Sequence, residues 1–159
     1  MIGNDVVDLN LALKESNWKR KGFLDKIYTS FEQKLIQEAE NQDEMVWLLW
    51  SLKESMYKAV QRISYVQGLF PIKIETTSLC ENNSTIVFDG QRFYGQSCIE
   101  NNCIHSVVVK NLNDFNVIIN FDAFNYGKDK NGLPYDLESK MPLSVSHHGR
   151  FLKIIGLNK

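Results

Sequence analysis

Residues 43–64 contain no glycine or proline and are rich in strong helix formers, so they read as one long helix. At about 100° per residue, Met45, Leu49, Leu52, Met56, Ala59, Val60 and Ile63 fall on one apolar stripe. Glu54 and Lys58 sit roughly opposite it, one turn apart on a shared face. Trp47, Trp50 and Tyr57 also point away from the stripe, which is unusual for a surface helix. Two compatible explanations follow. The helix is packed on both sides, or Glu54 and Lys58 sit in an aromatic, partly dry cleft where charges act more strongly than in water.

A helix of that kind needs a sheet or further helices to cover it, and the rest of the chain supplies both. Residues 2–9 read as a strand and 10–21 as a helix ending at Gly22, its C-cap. Residues 23–28 link to a helix over 29–40, opened by a capping box of Thr29 and Glu32. Past Gly68 and Pro71 the pattern turns to β: strands over 72–79, 85–88, 92–99, 103–110, 115–121 and 151–157, with Asp89-Gly90 marking a type I′ hairpin. Residues 122–142 form a long polar loop, the kind that carries function or mobility. The sum is one α+β domain over 1–159, helices packed on a largely antiparallel sheet.

Composition excludes several roles. A net charge of −1 gives no basic field for nucleic acid, and no apolar run is long enough to cross a membrane. The N-terminal residues lack the pattern of a secretory signal, and three cysteines without metal spacing suit a reducing cytoplasm. The densest positive patch is Lys14, Lys19, Arg20 and Lys21, the natural place to meet an acidic partner. Cys103 and His105 alternate on one strand as a possible metal pair, but no partner motif accompanies them.

The polar residues point to a reaction class. Asp5 or Asp8 on the first strand and Glu54 on the long helix supply two carboxylates from separate rigid elements. Two are too few for a calcium cage but suit Mg²⁺, which keeps waters and binds substrate phosphates. Asp8 has a plainer role available, as cap of the next helix. Lys53 and Lys58 beside the carboxylate are placed to hold phosphate oxygens, and His147 and His148 on a serine-rich turn could hold another. The combination implies Mg²⁺-assisted phosphoryl chemistry.

Gly3-Asn4-Asp5, followed by Trp50-Ser51-Leu52-Lys53-Glu54-Ser55-Met56-Tyr57-Lys58, resembles the paired signature of the 4′-phosphopantetheinyl transferase superfamily. Tyr28-Thr29-Ser30-Phe31-Glu32, Asn131-Gly132-Leu133-Pro134-Tyr135 and Leu143-Ser144-Val145-Ser146-His147-His148-Gly149 are similar to further segments of its short holo-acyl-carrier-protein synthase type. The departures are Leu11 where that type has arginine, Leu133 where it has lysine, and an added β segment over 85–121.

The resemblance implies transfer of the phosphopantetheine arm of coenzyme A to a serine of an acyl or peptidyl carrier protein, releasing adenosine 3′,5′-bisphosphate. It implies Mg²⁺ on Asp5 and Glu54, with Asp8 as a further ligand, and Lys58, Lys53 and His147 on the coenzyme's phosphates. Glu54, or a water it orients, would take the serine proton, and the basic patch would meet the acidic carrier. A homo-oligomer, most simply a trimer, is expected, with Trp47 and Trp50 buried against a neighbour, unless the 85–121 segment covers the helix within one chain. Two other functions stay open: a non-catalytic relative that binds coenzyme A or a carrier, and an interaction module built on the two tryptophans.

Overall fold

The protein is described by a computed structural model covering residues 1–65, 68–121 and 125–158. Strand β1 (Ile2–Asp8) leads into helices α1 (Leu9–Glu15), α2 (Phe23–Ile27), α3 (Ser30–Glu38) and α4 (Gln42–Val60). Four strands follow: β2 (Glu75–Cys80), β3 (Asn83–Phe88), β4 (Gln91–Glu100) and β5 (Cys103–Val109). With β1 they form an antiparallel sheet in the order β1-β5-β4-β3-β2. The chain ends in β6 (Ile118–Phe121), a small hairpin of β7 (Tyr126–Lys128) and β8 (Pro134–Asp136), and β9 (Leu143–His148) with β10 (Phe151–Leu157). A second antiparallel sheet, β6-β10-β9, lies beside β1. The expected α+β architecture is therefore present, with every described strand pair antiparallel.

Helix α4 lies across one face of the large sheet. Leu52, Met56 and Val60 pack on Ile86, Phe93 and Val108, as the apolar stripe requires. The stripe stops at Val60: Ile63 lies past the helix and is 55% exposed. The other face of α4 is covered too. Trp47 is only 7% exposed, packed in a cluster with Trp18, Ile27 and Val7. Much of this cover comes from the chain between β1 and α3, with Ile104 of β5 in the same cluster. The burial of Trp47 thus gives no reason to invoke a second subunit.

Several boundaries differ from expectation for local reasons. The first helix stops at Glu15 because the Asn17 side chain accepts the Lys19 N–H at 3.0 Å and Trp18 turns inward to donate to Asp43 at 2.6 Å. Gly22, at φ +83°, caps the start of α2 rather than the end of α1. Residues 71–73 form a short 3₁₀ turn begun by Pro71, so β2 starts only at Glu75. Residues 112–117 make another such turn before β6. Part of the polar loop is the β7-β8 hairpin, while residues 122–124 lie outside the described ones. The Thr29–Glu32 capping box and the Asp89-Gly90 turn, with φ +49° and +70°, match the sequence.

Gly3 fixes how closely β1 and α4 approach. A Cβ there would lie 2.0 Å from the Ser55 carbonyl oxygen and 2.5 Å from the Ala59 nitrogen, both backbone atoms that cannot swing aside. Only glycine lets helix and strand cross at this separation, which brings Asp5 under the face that carries Glu54 and Lys58.

Candidate active site at the crossing of β1 and α4

Asp5 is nearly buried on β1, and Lys58 reaches it from α4. The ammonium donates to the Asn4 carbonyl at 2.9 Å and to Asp5 Oδ1 at 3.2 Å. Ser146 on β9 donates to the same Oδ1 at 2.8 Å. Glu54, one turn before Lys58, shares this end of a cleft of about 430 Å³ with Asp5, Trp47, Trp50, Phe23 and His147. Burial pushes the Glu54 carboxyl above the usual range; the negative charge of Asp5 adds to this, and Lys58 only partly opposes it. His147 is exposed at the cleft, on the same side as its own chain's Glu54.

Lys53 is placed differently from its sequence expectation. It is 0% exposed and pairs with Glu32 of α3 at 2.8 Å. The same ammonium donates to the Pro71 carbonyl at 2.9 Å and to that of Ile74, and lies 5.7 Å from the Tyr28 ring centroid. Glu32 in turn accepts the backbone N–H groups of Thr29 and Thr76. Lys53 is therefore an internal brace joining α3, α4 and β2, and cannot bind coenzyme phosphates. Burial lowers its pKa, and Glu32 opposes that shift.

Asp8 is the N-cap of α1. Its Oδ1 accepts the Asn10 and Leu11 N–H groups, and its Oδ2 accepts that of Arg150. Burial would raise its pKa, but these hydrogen bonds and the Arg150 charge prevail and lower it. With both oxygens engaged by backbone donors, Asp8 serves as a helix cap, and unlike Asp5 and Glu54 it does not line the cleft.

Cys103 is buried at the start of β5, two residues before His105. His105 lies against the Asn4 side-chain amide at 3.3 Å, and burial, with Lys153 and Lys58 nearby, depresses its pKa to about 4. Among the described residues, no cluster of three or more His, Cys, Asp or Glu side chains assembles.

Ser144 and Ser146, which carry no role in the sequence, and His148, expected at a phosphate, share one side of β9. On β9 these three accept the N–H groups along the free edge of β1: Asn4 to Ser144 Oγ at 2.8 Å, Val6 to Ser146 Oγ at 3.0 Å, Asp8 to His148 Nδ1 at 2.9 Å. The signal was available as a period of two: alternating polar side chains on a strand share one side.

A second groove of about 360 Å³ opens beyond Lys58, lined by Tyr57, Tyr65, Tyr126, Lys128 and Leu133. Arg62 pins its far wall by donating to the carbonyls of Pro134 and Leu143. On the cleft's other flank, Lys14, Lys19, Arg20 and Lys21 are all exposed, and Arg20 also lines the cleft, over the Phe23 ring at 5.2 Å.

Comparison with known proteins gives a family and a fold. The family model described as "4′-phosphopantetheinyl transferase superfamily" matches residues 1–117. No curated protein matches the chain by sequence. Among solved structures, the holo-[acyl-carrier-protein] synthase of Helicobacter pylori, determined in complex with coenzyme A, is similar at TM-score 0.56 and 20% identity, covering 70% of this chain and 100% of that one. The Neisseria meningitidis synthase gives TM-score 0.57 at 17% identity, covering 69% and 96%. The Thermotoga maritima synthase gives TM-score 0.53 at 14% identity, covering 99% and 83%.

Proposed function

This chain belongs to the 4′-phosphopantetheinyl transferase superfamily, and we propose that it transfers the phosphopantetheine arm of coenzyme A to a serine of an acidic acyl or peptidyl carrier protein. The serine oxygen attacks the pantetheine-bearing phosphorus of the pyrophosphate. The bond from that phosphorus to the bridging oxygen breaks, and adenosine 3′,5′-bisphosphate leaves. The observation that carries this is that Asp5 and Glu54 line a cleft also lined by Arg20 of the exposed basic patch, while Lys58 of the neighbouring groove pairs with Asp5.

The donor set fits Mg²⁺. Asp5 and Glu54 offer two hard carboxylates from separate elements, both lining the same cleft. These two residues would hold the ion, which when bound neutralises pyrophosphate oxygens. Lys58 faces the position where charge grows on the leaving phosphate, while its bond to Asn4 keeps the ammonium directed. Glu54, or a water it orients, takes the serine proton. His147, exposed beside the pair, meets the coenzyme's phosphates. The tyrosine-lined groove beyond Lys58 suits the nucleotide end of the substrate. Lys14, Lys19, Arg20 and Lys21 receive the carrier.

The reaction belongs to the cytoplasm, a placement that suits three unpaired thiols. Assembly as a homo-oligomer, a trimer by the resemblance, stays part of the proposal without the tryptophan argument. Light scattering should give the mass of three chains; a stable particle of 18.4 kDa overturns it. For the activity, the purified protein is incubated with coenzyme A, Mg²⁺ and an apo-carrier. Intact mass should show the carrier gaining one phosphopantetheine. Coenzyme A binding without that gain identifies a non-catalytic relative.

A further inference from the structure

From the bonding around Asp5 we infer that Ser146 is a positioning residue for the metal-binding carboxylate, holding its side chain in the one rotamer that presents it to the cation. The inference rests on the proposed function for what Asp5 binds, but its geometry stands alone. Ser146 Oγ has one hydrogen and two lone pairs. One lone pair takes the Val6 N–H at 3.0 Å, so the hydroxyl is anchored to the strand that carries Asp5. An ionised carboxylate only accepts, so the hydroxyl hydrogen goes to Asp5 Oδ1 at 2.8 Å. Lys58 donates to that same oxygen at 3.2 Å. Oδ1 thus receives two directed hydrogen bonds, and no described residue donates to Oδ2. The carboxylate is held by one oxygen and offers the other.

The same strand supplies a matched control. Ser144 performs the edge-clasping half of this role, accepting the Asn4 N–H at 2.8 Å, but has no bond to Asp5. If Ser146 served only to hold β9 against β1, the two serines would behave alike.

The test compares Ser146→Ala, Ser144→Ala and Ser146→Thr, the last keeping the hydroxyl. NMR three-bond couplings of the Asp5 side chain, read without metal, should report one rotamer in the unchanged protein, in Ser144→Ala and in Ser146→Thr, and rotamer averaging in Ser146→Ala. Titration with Mn²⁺ alone, followed by electron paramagnetic resonance, should show affinity falling on the order of 10-fold or more in Ser146→Ala, the usual scale for losing a partner that orients a ligand, and holding in Ser144→Ala. A single Asp5 rotamer in Ser146→Ala, or equal averaging in both alanine variants, overturns the inference. Absence of Mn²⁺ binding by the unchanged protein overturns the proposed metal pair instead, and the couplings alone then decide the role of Ser146.

Discussion

Helix α4 carries two lysine–carboxylate pairs on different sides, five residues apart. Lys53 and Glu32 are sealed from solvent at 2.8 Å, and the lysine has two backbone carbonyls besides. Lys58 and Asp5 meet at 3.2 Å beside a cleft, with Glu54 close enough for Asp5 to raise its pKa. The residue types are the same, but the surroundings give opposite uses. In the first pair the charges are fully compensated and a ligand has no access. In the second, an excess of negative charge faces an opening. Burial with complete hydrogen bonding makes a brace, whereas two carboxylates sharing one lysine leave negative charge at an opening.

The largest expected effect tests the brace. Lys53→Met leaves Glu32 buried without its partner, and removing one member of a sealed pair costs about 3–5 kcal/mol. Denaturant unfolding should show that loss, while the folded fraction transfers phosphopantetheine at a near-normal rate. A stable variant with lost turnover would place Lys53 in the chemistry after all.

Glu54→Gln should do the reverse. Turnover falls by roughly 10²-fold or more, about 2.7 kcal/mol, the scale for one preorganised electrostatic group. Stability moves the other way. Glu54 keeps its proton to higher pH in the fold than in the unfolded chain, so the fold is penalised as pH rises above the ordinary glutamate value of 4.5. The glutamine variant lacks this penalty. Its melting temperature should therefore exceed that of the unchanged protein on the alkaline side of the window, and the gap should close below it. Thermal melts across that range check the sign. A Glu54→Gln protein that is less stable at every pH would mean that Glu54 braces the fold as Lys53 does.

The smallest effect concerns charges that are not buried at all. Neutralising Lys14 and Arg20 should raise the carrier KM several-fold, flatten its salt dependence, and leave coenzyme A affinity nearly unchanged. An unmoved KM would reduce the patch to a solvated face.

Much of this division could be read in the sequence, and its gaps have physical causes. Glu54 and Lys58 stood out because they lie opposite the apolar stripe. Lys53 was misplaced, although it follows Leu49 by four residues and precedes Met56 by three, within the stripe. A lysine there implies a buried counter-charge, but its partner Glu32 lies on another helix, and periodicity within one element does not reveal contacts between elements. Trp47 and Trp50 were set apart from the core for the same reason: their cover is a segment whose helix breaks at Asn17 and Trp18 through side-chain bonds that propensity does not show. The strand pairing around β9 was likewise out of reach. Alternation marked Ser144, Ser146 and His148 as one side, but not which strand lay across from them.

The clasp between β9 and β1 also orders events in time. Asp5 is made well before its partner: the hydroxyl bonded to its Oδ1 comes 141 positions later. At 5–20 residues per second, that interval is roughly 7–28 s. For all of it, the N-terminal strand lacks the partner along one edge and its carboxylate lacks one of its two donors. The hydrogen-bonded setting of Asp5 is therefore a late product of translation: a growing chain that already contains Asp5, Glu54 and Lys58 lacks the Ser146 donor until β9 has emerged.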